Sequence, residues 1–311
     1  MASHQRYDLP QPHSHPAPKE PGRGVKAVLL GAFVVVTALI LVTVLREGGQ
    51  DGVQDGPAVG DTAMSGSAAG ESSGSGGAGP IPQSIFDDLR VGELPPGGHF
   101  STKGSQKYRT VGTPGERAGT GTKHKYTYVV EVEDTIDAAT YGGDDAFAAI
   151  IDATLANPKS WIADKAFSFQ HVDAKKVKNP DYRFQLSSTD TTHELCGNSY
   201  KLETSCFYRI GNRVVINQAR WVRGAAPFHG DLGSYRQYVI NHELGHGIGY
   251  AAHTPCDKDG ALAPIMMQQT LSMRNSELYK INPEESYKNN GDTCRPNPWP
   301  YPSGKVTDVK Q

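Results

Sequence analysis

Two histidines and a glutamate in one short stretch carry the clearest chemistry of the chain. His242 and His246 stand four residues apart. On a helix, residues at this spacing share one face, so both imidazoles can bind the same metal ion. Glu243 lies one step round the helix, where its carboxylate can take a proton from a water that the metal polarises. This H-E-x-x-H pattern is typical of zinc hydrolases that attack amide bonds.

The residues that follow extend the pattern. Gly249 stands three residues after His246, where a helix can stop and the chain can reverse through a positive φ. His253 comes next within reach of the same metal, and Met266 and Met267 lie downstream. Here the chain resembles the metzincin clan of zinc peptidases, whose pattern is H-E-x-x-H-x-x-G-x-x-H followed by a methionine turn. The resemblance implies that His242, His246 and His253 are zinc ligands and that Glu243 is the catalytic base. It also implies that Gly249 and Met266 support the site.

One position departs from the metzincin pattern. That pattern places the third histidine where Ala252 stands in this chain, and His253 comes one residue later. A bulged turn after Gly249 would absorb the extra residue, because helix geometry no longer constrains that segment. The alternative third ligand is Glu277 on a later helix, as in gluzincin-like sites. We favour His253, since Gly249 and the methionine pair fit the metzincin pattern.

The wider chain resembles an actinobacterial, membrane-tethered domain family that carries a metzincin-like zinc motif. The resemblance covers roughly residues 95 to 300. Besides the histidine motif, it rests on Val214-Val215-Ile216-Asn217, Arg220-Trp221, Tyr235-Arg236 and Ala263-Pro264-Ile265-Met266-Met267-Gln268-Gln269-Thr270. It implies a fold and a metal site but no substrate.

An apolar run of residues 27–45 contains no charge and no proline. Nineteen residues at helical rise span about 28 Å, close to the hydrocarbon thickness of a bilayer. Basic residues precede the run and acidic residues follow it, so we predict a disordered cytoplasmic tail (1–26) and a single-pass signal-anchor helix (27–45). A cleaved signal peptide is the alternative, but Arg46-Glu47 follows the run at once, in place of a small-residue cleavage site.

The remainder of the chain divides by composition. Residues 46–94 are predicted to form a flexible linker, since Gly, Ser, Ala and Asp dominate positions 47–81. Residues 95–311 are long enough for one extracytoplasmic domain with its own core. The chain has 31 basic and 33 acidic residues, and this near balance argues against a nucleic-acid partner.

The cysteine count agrees with an exported domain. All four cysteines lie beyond the apolar run, and an even number in that position suggests two disulfides. Of the three possible pairings we favour Cys196 with Cys206, across a short loop, and Cys256 with Cys294. Zinc ligation by these thiolates is less well supported, because the chain has no C-x-x-C spacing.

Periodicity predicts the elements that position the motif. Residues 126–133 alternate as a half-buried strand, and Phe147, Ile150, Ile151 and Leu155 repeat at helical spacing over 144–155. Short strands are predicted near 167–169, 182–186 and 213–217, and the active-site helix over about 232–248, capped by Asp231. We therefore expect an α+β, zincin/metzincin-like fold, preceded by the transmembrane helix. It would have a twisted, mostly antiparallel or mixed sheet, a backing helix and an active-site helix.

The strand before the active-site helix has two interpretations. By resemblance, residues 213–217 are a candidate for the edge strand that pairs with an extended substrate in metzincins. Alternatively, Val214-Val215-Ile216 is a central strand buried on both faces. The sequence leaves both interpretations open.

These expectations combine into a functional hypothesis. We expect a membrane-anchored, extracytoplasmic, zinc-dependent metallopeptidase with a protein or peptide substrate and Glu243 as its base. One alternative is a non-catalytic envelope binding or scaffold module on a zincin fold, which the displaced third histidine motivates. The other is a zinc amidase acting on cell-wall peptides, since these also present amide bonds.

Overall fold

The structure, a computed structural model, describes residues 84–198 and 201–308. The strands are β1 (Tyr108–Val111), β2 (Ala118–Gly119), β3 (His124–Glu133), β4 (Phe167–His171), β5 (Tyr182–Ser187), β6 (Cys206–Tyr208) and β7 (Arg213–Asn217). The helices are α1 (Ser84–Asp87), α2 (Asp144–Leu155), α3 (Thr189–Cys196), α4 (Gln218–Arg223), α5 (Leu232–Gly247) and α6 (Asn275–Ile281). Short 3₁₀ turns occupy Ala138–Thr140, Trp161–Ala163, Ala226–Phe228 and Val306–Asp308.

The strands form one mixed sheet of seven strands in the order β2-β4-β3-β5-β7-β6, with β1 paired beside β3. The pairs β3–β4, β3–β5 and β5–β7 are parallel. The pairs β1–β3, β2–β4 and β6–β7 are antiparallel. The expected α+β class with a mixed sheet is confirmed, and the antiparallel pairs lie towards the margins of a parallel centre. Parallel neighbours need crossover connections, and α2 between β3 and β4 is one of them.

The central strand β3 is more deeply buried than its sequence predicts. The alternation over residues 126–133 indicates one solvated face, yet every residue from Tyr128 to Glu133 is buried. The polar face is covered by α3 and the loop before β1, and hydrogen bonds satisfy its carboxylates. Glu133 accepts from the backbone N–H groups of Gln106 at 2.6 Å and Ser188 at 2.8 Å, and from the Thr191 hydroxyl at 2.7 Å. Several hydrogen-bond donors stabilise a buried carboxylate. The acidic residues of β3 are therefore buried, although their polarity predicted an exposed face.

Two successive residues of β6 show which helix lies on each face of the sheet. Cys206 is bonded to Cys196 on α3, whereas Phe207 packs close to Gly247 on α5. Successive side chains of a strand point to opposite faces, so α3 and α5 lie on opposite sides of the sheet. The helix α2 packs against α5 and therefore belongs to the α5 layer.

The strand β7 occupies an interior position, between β5 and β6. Its residues Val214 to Asn217 are fully buried. The edge-strand interpretation of residues 213–217 is therefore wrong, and the central-strand alternative is right. The edge strand beside α5 is β6, which was not predicted from the sequence. Three residues are too few for an alternating pattern to identify a strand.

The helix α5, predicted as the active-site helix, begins and ends close to its predicted bounds. Asp231 caps it by accepting a hydrogen bond from the Ser234 N–H at 2.9 Å, as predicted. The helix packs unusually closely on its surroundings at Gly245. A Cβ at Gly245 would lie 2.5 Å from the Met266 Sδ and 2.9 Å from the Trp161 Cζ2. Both neighbours are buried, so glycine is what allows the helix this close approach.

Both predicted disulfides are present, Cys196–Cys206 and Cys256–Cys294. The described N-terminal segment also belongs to the domain, although composition assigned residues up to 94 to the linker. The buried guanidinium of Arg220 donates to the carbonyls of Gly92 at 2.6 Å, Glu93 at 3.2 Å and Glu203 at 2.7 Å. These hydrogen bonds fix the segment before residue 95 to the core.

The predicted membrane segment, residues 27–45, lies outside the described residues, as do the predicted tail and most of the predicted linker. Within 84–198 and 201–308, no helix has both the length and the apolar character needed to cross a bilayer.

The close packing at Gly245 gives a test of the fold. We expect Gly245→Ala to lower the free energy of unfolding by about 1–3 kcal/mol, because the added methyl overpacks a rigid site. The matched control is Gly233→Ala in the same helix, where the nearest atom to a new Cβ is the Asp231 Oδ1 at 3.4 Å. The control should be neutral or slightly stabilising. Urea denaturation of the full-length protein measures both variants, and equal stabilities would contradict the packing described.

Candidate metal centre

Three histidines meet at the end of α5. His242 and His246 lie one turn apart on the helix, and their ring centroids are 4.9 Å apart. The ring of His253 lies 5.3 Å from that of His242 and 5.2 Å from that of His246. One potential ligand atom from each of the three lies within 4.8 Å of the other two. The structure therefore brings together the three histidines that the sequence favoured.

The turn after α5 absorbs the residue that displaces His253 from the metzincin spacing. The helix ends at Gly247, and Gly249 adopts a φ of +116°, a conformation that favours glycine. The Tyr250 N–H then donates back to the Gly245 carbonyl at 3.0 Å. This tight reversal returns the chain towards the helix, so His253 faces the other two rings despite the extra residue.

Hydrogen bonds at Nδ1 orient each ring. His242 Nδ1 lies 2.8 Å from the Ile265 carbonyl, and His246 Nδ1 lies 2.9 Å from the Tyr250 carbonyl. His253 Nδ1 lies 2.5 Å from the Glu285 Oε2. Each partner is an oxygen that accepts, so Nδ1 carries the proton and Nε2 keeps its lone pair. This is the arrangement in which a neutral histidine binds a metal through Nε2.

The Nε2 atoms of His242 and His253 are buried, and no described residue hydrogen-bonds them. A buried nitrogen without a partner is costly, and a metal ion would satisfy it. Burial also lowers the pKa of His242 well below its usual value and that of His246 to about 4, which favours the neutral, ligating form. The residues present therefore fit a metal ion held by imidazole nitrogens, a ligand set suited to zinc and several other transition metals.

Glu243 faces the same site. Its side chain is buried, and burial raises its pKa to about 8, an effect that a hydrogen bond from the Phe207 backbone N–H partly opposes. With His246 and His253 it lines an open cleft of about 270 Å³. The other side of this cleft is formed by β6, so the cleft lies between α5, which carries Glu243, and the free edge of the sheet.

The segment around Met266 contacts the histidine cluster. The Ile265 carbonyl orients His242, and the Met266 carbonyl accepts from the Thr254 N–H at 3.0 Å, next to His253. The side chain of Met266 is buried at the close approach to Gly245. This segment therefore contacts both parts of the chain that supply the histidines.

A second segment holds His253, and sequence reasoning missed it. We call Glu285–Tyr287 the clamp. Glu285 accepts from the His253 ring, the Ser286 hydroxyl donates to the His253 carbonyl, and the Tyr287 ring stacks on that of His253 with centroids 6.1 Å apart. The Tyr287 hydroxyl also accepts from the Gln268 N–H at 2.8 Å. No local pattern marks these residues, because they lie more than thirty positions beyond the histidine that they contact.

Glu277, the alternative third ligand, is not part of the cluster. Its carboxylate accepts a hydrogen bond from the Ser272 hydroxyl at 2.5 Å, and it lines a different groove. Its place at the start of α6 puts it beside its own helix terminus, where a carboxylate is favoured. Within the described residues, the candidate metal ligands are the three histidines.

Comparison with known proteins places the chain in a family. A model of the family described as protein of unknown function (DUF3152) matches residues 94–302. This match covers more than half of the chain, which therefore belongs to that family. No curated protein and no solved structure matches the chain.

The identity of the third ligand can be tested directly. We expect His253→Ala to weaken zinc binding by more than the roughly 10–100-fold typical of removing a residue that only supports a ligand. Glu277→Ala is the control and should bind zinc as the unaltered protein does. Competition with a chromophoric chelator measures both affinities in the full-length protein with its disulfides intact. Undiminished binding in His253→Ala would exclude this site.

The clamp can be tested separately. We expect Glu285→Ala to lower zinc affinity by roughly 10–100-fold, since His253 would lose the acceptor that fixes its ring and tautomer. The neighbouring Glu284 is exposed, and no described residue pairs with its carboxylate. Glu284→Ala therefore removes the same charge without touching His253, and its affinity should stay unchanged. Equal affinities of the two variants would show that Glu285 does not support the site.

Proposed function

We propose that this chain is a zinc-dependent metallopeptidase that hydrolyses peptide bonds in the cleft between α5 and β6. The observation that carries the proposal is the convergence of three oriented histidines and a buried carboxylate on one open cleft. A site with only a structural metal is normally closed by a fourth protein ligand, whereas this one opens beside Glu243. An open position and a nearby carboxylate are what a hydrolytic site requires.

Zinc on His242, His246 and His253 would polarise a substrate carbonyl and lower the pKa of water. The protein supplies the other functions. The Nδ1 hydrogen bonds hold the three rings in place before any ligand binds. Glu243, in its ionised form, accepts a proton from the attacking water and delivers it to the departing amine.

The arrangement of elements supports a zincin/metzincin-like fold for the domain. A mixed sheet, a backing helix (α2), an active-site helix (α5) and an antiparallel edge strand over the cleft are the features expected of that fold. The methionine segment beneath the histidines adds to the likeness. In this proposal Gly249 ends the helix so that His253 can reach the metal, and Met266 supports the site without binding the ion.

The substrate in this proposal is an extended peptide that adds a strand to the free edge of β6. Edge strands present unpaired backbone groups, and peptides bind to them through main-chain hydrogen bonds. The Phe207 N–H, whose hydrogen bond lowers the pKa of Glu243, belongs to this edge strand. A peptide paired here would pass directly beside the catalytic carboxylate.

The cellular setting remains part of the proposal. Two disulfides favour an oxidising compartment, which suits an extracytoplasmic domain anchored by residues 27–45. The substrate would then be a protein or peptide outside the cytoplasm, cell-wall peptides included. The displaced position of His253 was the reason to consider a non-catalytic binding module. That reason no longer applies, because His253 lies with the other two histidines.

The mechanism makes Glu243 dispensable for metal binding and essential for hydrolysis. We expect Glu243→Gln to bind one zinc ion as the unaltered protein does and to lose roughly 10²–10⁴-fold in peptide hydrolysis, because the amide cannot take up a proton. Mass spectrometry gives the metal content, and cleavage of a peptide mixture gives the activity. Glu284→Gln is the matched control and should retain both. Full activity of the Glu243→Gln protein would refute this mechanism.

A further inference from the structure

The strand β6 and the residues that flank it line one side of the cleft. Ser205, Phe207 and Arg209 all line it, at spacings of two residues. Tyr208, between Phe207 and Arg209, contacts Arg213, and the Cys206 sulfur is bonded to α3. Alternate residues of a strand share one face, so the side chains of this row contact whatever lies along the edge of β6.

Arg209 stands at the turn that joins β6 to β7. Its guanidinium is exposed, and no described residue accepts a hydrogen bond from it or forms an ion pair with it. The other arginine of this turn behaves differently: Arg213 lies over the Tyr208 ring at 5.3 Å, and its Nε donates to the Ile210 carbonyl at 3.1 Å. Arg213 therefore braces the turn, and the charge of Arg209 is left for a partner outside the domain.

The one carboxylate among the described residues that line the cleft is Glu243, the proposed base. Apart from the histidines of the metal centre, the other side chains that line the cleft with Arg209 are neutral: Ser205, Cys206, Phe207, Ala251 and Gln268. Glu285, the nearest further carboxylate to the histidines, is engaged by His253. A carboxylate on the substrate would meet an arginine that can bind it with two parallel hydrogen bonds.

We infer that Arg209 forms a specificity subsite for an acidic side chain of the substrate, on the N-terminal side of the scissile bond. This inference rests on the proposed function. A substrate strand paired antiparallel to β6 runs from Arg209 towards Ser205, so the residues that pass Arg209 precede those that pass Glu243. Two residues of a strand span roughly 6–7 Å, which places the subsite within a few residues of the bond that is cut.

Cleavage of matched peptides tests the inference. Peptides carrying Glu, Gln or Lys in turn at each position around the scissile bond are offered to the zinc-loaded, full-length protein. We expect kcat/KM to be about tenfold higher for Glu than for Gln at one N-terminal position, the effect of one charge-assisted, partly exposed pair. Arg209→Gln should remove this preference, and Arg209→Glu should reverse it in favour of Lys.

The matched control removes a charge elsewhere. Arg274 is also exposed and without a described ion-pair partner, and it lines a different groove. Arg274→Gln should keep the full preference for Glu. Loss of the preference in this control would mean that overall charge, and not the subsite, selects the substrate. A preference on the C-terminal side of the bond, or none at all, would also overturn the inference.

Binding separates this inference from the proposed function. Fluorescent forms of the same peptides are titrated into zinc-loaded Glu243→Gln protein and into the Glu243→Gln, Arg209→Gln double variant. If the first binds the Glu peptide about tenfold more tightly than the Gln peptide and the second does not, the subsite stands even when no peptide is cleaved. Cleavage without any acidic preference would sink the subsite alone. If the protein neither cleaves peptides nor binds the Glu peptide more tightly, both the subsite and the proposed function are overturned.

Discussion

Three imidazole rings with their protons on Nδ1 and their lone pairs facing one another are the constraint around which this domain is arranged. Two of the rings are positioned by a helix, and the third must be returned to them by a loop. Each needs its own acceptor: two main-chain carbonyls and the carboxylate of Glu285. Three features hold the rings together: the tight packing at Gly245, the chain reversal at Gly249 and the segment around Met266. A shift of any of them would move a ring.

The sequence predicted the features that depend on near neighbours in the chain. The bounds of α2 and α5, the Asp231 cap and the strand over 213–217 follow from periodicity and capping chemistry, which act over a few residues. The histidine cluster was also predictable, since two of its members share a helix face. The pairing that the sequence favoured among the three possible ones is the pairing that the structure contains.

What the sequence could not supply was the set of distant partners. The clamp contacts His253 across a long loop, and no residue in Glu285–Tyr287 has a type or spacing that marks it as a support. The strand β6 is too short to show alternation, and its role follows from its position beside β7. The burial of Glu131 and Glu133 likewise depends on donors supplied from elsewhere in the chain. Tertiary contacts decide such features, and a single sequence does not record them.

The clamp also ties the histidines to the C-terminal part of the domain. A bound ion would bridge α5 to a residue that Glu285 and Tyr287 already hold, so occupancy of the site and docking of that loop would be thermodynamically linked. Each would raise the equilibrium constant of the other by the same factor. The loop would then open more rarely in the loaded protein, and proteases would cut it more slowly. Protein without bound metal would therefore be degraded faster than metal-loaded protein.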